Sequence, residues 1–120
     1  MTLNEKLANI QSKLKAPKNQ FNKFGGYSYR NQEDILEAVK PLLSSQGLTM
    51  RISDEIASPG NDSVYIKSTV IISDGTNEVS VTAFAKEASD QKGMSPSQMT
   101  GSASSYARKY ALNGMFLIDD

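Results

Sequence analysis

From Leu48 onward the apolar residues change their spacing from helical to every second position, and this constrains the fold more than any other feature of the chain. Leu48, Met50 and Ile52 alternate with Thr49 and Arg51. Val64, Ile66, Val70 and Ile72 share one parity, and Tyr65, Lys67 and Thr69 share the other. Val79, Val81, Ala83 and Ala85 alternate with Ser80, Thr82, Phe84 and Lys86. Successive side chains of a strand point to opposite faces, so each run has one apolar and one mixed face. Ser58-Pro59-Gly60-Asn61-Asp62 and Asp74-Gly75 supply turns between the runs. The expectation is a three-stranded antiparallel meander that must bury one side against something else.

Helical segments flank it. Thr2 and Glu5 have capping-box spacing, and Leu3, Leu7, Ile10 and Leu14 form an apolar stripe that Pro17 is expected to end. Asn31 can cap a second helix with Glu33 and Asp34 in its first turn, where the dipole favours negative charge. Its buried side is Ile35, Leu36, Val39, Leu42 and Leu43. Pro41 is expected to kink it, and Gly47 to cap its end. After a polar connection from Glu87 to Met94, Ser95-Pro96-Ser97-Gln98 opens a third helix. Its first half is narrow (Gly101, Ser102, Ala103, Ser104, Ser105, Ala107) and can approach another backbone closely. The expectation is that it runs to Asn113, ends at Gly114, and is followed by a short strand over Met115 to Ile118. The fold class is therefore α+β: two N-terminal helices, then a β-β-β-α core, in one domain over residues 1–120.

Composition narrows the chemistry. Lys and Arg number 13, Asp and Glu also 13, so attraction to an anionic partner depends on where charges sit rather than on their sum. With no Cys and no His, the chain has no thiol nucleophile, no imidazole base and no zinc-finger ligand set. No G-x-x-x-x-G-K-[ST] occurs, which speaks against an ATP-driven motor, and Gly25-Gly26 is too short for a phosphate-binding fingerprint. Helix capping accounts for most of the group Glu33, Asp34 and Glu37, so neither a metal site nor a cofactor is expected. No signal segment precedes the first helix and no apolar run approaches the roughly 20 residues of a membrane span. A cytoplasmic protein that does not enter membranes, and is not an enzyme, is the expectation.

Between Lys15 and Arg30 no acidic residue occurs, and Lys15, Lys18, Lys23 and Arg30 alternate with Phe21, Phe24, Tyr27 and Tyr29. Cations for phosphates and rings that stack on any base are the mixture used to hold single-stranded nucleic acid; the same rings could instead pin a loop to the core. Arg108 and Lys109 are adjacent on the third helix, diverge by roughly 100° and would suit two neighbouring phosphates, or form a solvated cationic helix end. Tyr106 and Tyr110, one turn apart, read as core residues unless a groove beside them is open. The mixed sheet face of Arg51, Tyr65, Lys67, Thr69, Phe84 and Lys86 is either a ligand platform or ordinary exposed strand surface.

Phe24-Gly25-Gly26-Tyr27-Ser28-Tyr29-Arg30, the helix through Val39-Lys40-Pro41-Leu42-Leu43, and above all the stretch from Gly93 to Leu112 with its Gln98, small-residue run and Tyr106-Ala107-Arg108-Lys109-Tyr110 sequence resemble the ERF family of phage single-strand annealing proteins. The resemblance implies a protein of homologous recombination that binds single-stranded DNA and anneals complementary strands without ATP, assembling into rings or helical filaments. It implies kinship with the Red-beta group, whose shared core is a β-β-β-α unit, and a C-terminal region beyond this domain that contacts the host single-strand-binding protein. By that comparison Arg108 and Lys109 are the first candidates for lining the DNA groove and Tyr27, Tyr29 and Arg30 the second; Lys23 of the basic segment and Lys67 and Lys86 of the mixed sheet face complete the set of expected DNA-binding residues. The chain is then either a short member or the N-terminal part of a longer one. The rival readings are an oligomeric interaction scaffold that does not bind DNA directly and a metal-dependent nuclease built on acidic residues, against which the absence of His and of a compact acidic motif speaks.

Overall fold

The computed structural model describes residues 1–60, 62–88 and 93–119; Asn61 of the first expected turn, residues 89–92 of the expected polar connection and Asp120 lie outside them. The elements in chain order are α1 (Leu3–Lys13), β1 (Gln20–Asn22), β2 (Tyr27–Tyr29), α2 (Gln32–Ser45), β3 (Thr49–Ala57), β4 (Tyr65–Ser73), β5 (Glu78–Lys86) and α3 (Pro96–Phe116). Among the described residues the fold is α+β with three helices, as expected, but it carries a second, two-stranded sheet. β1 and β2 pair antiparallel with Phe21 opposite Ser28, in a segment without the apolar alternation that marks a strand. Because both strands are three residues long, their ladder rests on the turn between them rather than on a buried face.

Each helix starts where the chain has a residue able to bond its free backbone donors. Thr2, Asn31 and Ser95 are N-caps, and Glu5, Asp34 and Gln98 reach back to complete a capping box at each. α1 stops at Lys13, ahead of Pro17, with Leu14 already extended. α2 continues through Pro41. It closes with the Leu48 N–H donating to the Leu43 carbonyl and the Gly47 N–H to that of Ser44, which requires the positive φ of 68° at Gly47.

The expected strand over Met115 to Ile118 is not formed. Met115 and Phe116 are the last residues of α3, both buried in the core beside Ala111 and Leu112, a helical and not an alternating spacing. Gly114 does not end the helix either. A Cβ there would lie 3.2 Å from a Val81 methyl, so the glycine lets α3 settle against β5. The αL residue that does end it is Leu117.

The main sheet has the order β3-β4-β5, antiparallel throughout, with Ile52, Val70 and Val81 in one cross-strand row. The face carrying these residues is covered by α3 across β4 and β5 and by α2 near β3. Ala103 and Ala107 of α3 pack on Ile66 in a small cluster; the larger core joins Leu3, Leu7 and Ile10 of α1 with Ile35, Val39 and Leu43 of α2, Val70 and Ile72. Arg51, Tyr65, Lys67, Thr69, Thr82, Phe84 and Lys86 lie together on the opposite face, where Thr69 and Thr82 are hydrogen-bonded at 3.1 Å. No described element covers that face. The molecule is accordingly a slab of 49 × 36 × 18 Å, and its radius of gyration of 15.8 Å exceeds the about 14 Å of a compact chain of this length.

Candidate nucleic-acid interface

Asn22 builds the hairpin turn almost alone. Its carbonyl accepts from the Gly26 N–H at 2.8 Å, its Oδ1 accepts from the Phe24 and Gly25 N–H groups at 2.9 and 3.0 Å, and its Nδ2 donates to the Tyr27 hydroxyl at 2.9 Å. The Tyr27 ring lies on Gly25 so closely that a Cβ there would meet its Cε1 at 2.2 Å. Gln20, Asn22, Tyr27 and Tyr29 share the hairpin face turned toward the body, since Gln20 pairs with Tyr29 and Asn22 with Tyr27.

Between this face and α3 lies an open cleft of ≈ 550 Å³, lined by Tyr27, Tyr29, Arg30, Gln32, Glu33, Ser105, Tyr106, Lys109 and Tyr110. A second cleft of ≈ 380 Å³ continues from Tyr106 and Tyr110 along β5 to Phe84, Lys86, Met94 and Met99. Tyr106 and Tyr110 are 52% and 41% exposed, so they are not core residues: the groove beside them is open. Tyr27 with Tyr29, and Tyr106 with Tyr110, have ring centroids 6.1 Å apart and inclined planes. A base slotted between two rings needs parallel planes about 7 Å apart, twice the 3.4 Å step of a strand, so these pairs offer outer ring faces rather than slots.

The expected cations separate into three groups. Lys109 lines the first cleft, Lys86 reaches the second from the uncovered sheet face at the edge strand β5, and Lys23 is exposed in the hairpin turn. Lys67 is on the uncovered sheet face, opposite Glu55 on one side and Phe84 on the other. Arg30 and Arg108 are both engaged within the fold. Arg30 is 7% exposed; its Nε donates to the Ala16 carbonyl at 2.5 Å and its terminal nitrogens to the backbone and carboxylate of Asp119. Its guanidinium therefore ties the linker after α1 and the chain beyond α3 to the base of the hairpin.

Arg108 turns the other way from Lys109, as adjacent helix positions must, and grips Asp54 on β3. Its Nη2 is 3.0 Å from Oδ2, and its Nε is 3.2 and 3.1 Å from the two carboxylate oxygens. The same carboxylate accepts from Ser68 at 2.7 Å and Ser104 at 2.6 Å. Partial burial disfavours the charge of Asp54, but the bonds from Arg108, Ser104 and Ser68 outweigh it, and the pKa lies below the ordinary carboxylate range. The sequence reading passed over Asp54. Its signal is a carboxylate at the position after Met50 and Ile52 on the apolar parity of β3.

Because the Asp54 pKa is lower folded than unfolded, its stabilisation is complete above the unfolded value of about 3.9 and is lost as the pH falls through the folded value. Thermal melts between about pH 5 and pH 2 should therefore show a smaller acid loss of stability in Asp54→Asn than in the parent, from a lower starting point. Parallel curves for the two proteins would mean that the carboxylate is not held as described.

A two-layer β-β-β-α fold with a tyrosine-lined cleft against its last helix is what this chain presents, and it belongs to the ERF superfamily, which matches over residues 3–120. It is similar to the essential recombination function protein of Salmonella phage P22, at 57% identity over 115 residues. The match takes in 96% of this chain and 55% of that protein, so the chain spans about half the length of its curated relative. No solved structure matches it. Among the described residues no group of metal-ligating side chains occurs, and no helix is long and apolar enough to cross a membrane.

Proposed function

We propose that this chain is a single-strand-binding and annealing domain acting in phage homologous recombination, without ATP and without a catalytic residue. The observation that carries the reading is one open cleft lined by Tyr27, Tyr29, Tyr106 and Tyr110 together with Lys109 and Glu33. The lysine neutralises phosphate, the rings stack on bases of any sequence, and pairing with a second strand supplies the selectivity. The name of the phage P22 relative supports the recombination setting. Lys86 extends the track along β5. Arg30 and Arg108 act by holding the walls in place, and Lys67 stands away from the track. One neutral domain offers a strand few cations. Copies assembled as a ring or filament would align many clefts along one strand and multiply a weak interaction; a host single-strand-binding protein would be met by other parts of such a particle.

Fluorescence anisotropy of a labelled oligonucleotide across a salt series tests the reading. Lys109→Ala should reduce the logarithmic salt slope by about 0.7, the amount of one lost phosphate contact on a single strand. Arg108→Ala should leave the slope nearly unchanged, because Asp54 already cancels that charge. A parent protein that ignores the oligonucleotide, or a slope insensitive to Lys109, would overturn the proposal. The uncovered sheet face favours one other reading, a scaffold that assembles through it without DNA. Such a scaffold would form particles in light scattering and leave complementary oligonucleotides unannealed.

A further inference from the structure

Strand alternation puts Phe21 on the hairpin face opposite Tyr27 and Tyr29, pointing away from the cleft, and it is 59% exposed. Phe24, in the turn, is fully exposed and lines neither cleft. Neither ring contributes to the core. The turn that presents Phe24 is nevertheless fixed by the bonds from Asn22, so its ring is displayed on a rigid mount and not on a loose loop. The surrounding segment, residues 15–30, carries Lys15, Lys18 and Lys23 and no carboxylate, a local charge that complements an anionic chain. Rings on a fixed mount, with Lys23 in the same turn, suit unpaired bases.

We infer that the outward side of the β1–β2 hairpin, Phe21 and Phe24 with Lys23 between them, is a second nucleic-acid surface that takes bases of the incoming complementary strand. This rests on the reading of the cleft as the seat of the first strand. The hairpin then stands between two strands, with tyrosines toward one and phenylalanines toward the other.

The test uses this chain with a Phe21→Ala/Phe24→Ala variant and a Phe21→Tyr/Phe24→Tyr variant, which keeps the rings. Anisotropy reads binding of one oligonucleotide; energy transfer between complementary labelled oligonucleotides reads annealing. The alanine variant should bind one strand within about twofold of the parent and anneal at least about tenfold more slowly, with the tyrosine variant restoring the rate. Equal losses in binding and annealing would mean one continuous site and overturn the inference, as would an unchanged annealing rate. A change in particle size by light scattering, with annealing falling in step, would assign the rings to contacts between copies and overturn it too. If the parent binds no oligonucleotide, the cleft reading itself falls; if only the alanine variant behaves like the parent, the inference falls alone.

Discussion

Replacing Arg30 with alanine is expected to lower the stability of the fold by about 3 kcal/mol, because it strips charge-assisted bonds from the Ala16 carbonyl and from Asp119 and leaves a buried acceptor unpaired. For a chain of this size that is a fall of roughly 10 °C in melting temperature. Arg30→Lys should recover little of it, since one ammonium cannot reach both the Ala16 and Asp119 carbonyls in the fixed geometry of a guanidinium fork. Hydrogen exchange should accelerate first in β1 and β2, whose base Arg30 holds. The measurement also separates two roles for this residue. A phosphate ligand would lose salt slope on substitution and keep its stability; a brace loses stability. An Arg30→Ala protein that melts with the parent would remove the brace.

Phe116→Ala is expected to cost more, about 3–5 kcal/mol, since the ring is 1% exposed and its removal opens a cavity where α1, α2 and α3 meet the sheet. Chemical denaturation should show the lower midpoint with an unchanged slope. Phe116→Leu, which fills most of the space, should cost well under half as much. A loss below about 1 kcal/mol for the alanine variant would place the residue outside the core and undo the last turn of α3 as drawn.

Much of this was legible in the residues. Cap residues marked all three helix starts, and the two-residue period of Leu48 to Ala85 marked the meander and which face it buries. The hairpin escaped because Gln20 to Tyr29 has no buried face, so no alternation records it; its information lies in Asn22, Gly25 and Gly26, which shape a turn. The end of α3 was misjudged because glycine serves both as a helix stop and as a close-approach residue. Only the position of Val81 decides between them. For the candidate site, the tyrosines and Lys109 were legible as types able to hold nucleic acid, and Tyr106 and Tyr110 read as core residues unless a groove stood open beside them, as it does. Arg108 and Arg30 were not, since a cation's role depends on the nearest acceptor, and Asp54 and Asp119 are 54 and 89 residues away along the chain.

The three reciprocal caps at Thr2, Asn31 and Ser95 carry a consequence for how such a chain can diverge. Each pins the rotational phase of its helix within four residues, before any distant partner is met. Deleting one residue inside α3 would swing every later side chain by about 100°, carrying Tyr110 off the cleft and Phe116 out of the core, while the cap at Ser95 stayed intact and could not compensate. Length change is thus tolerable upstream of a cap and ruinous downstream of it.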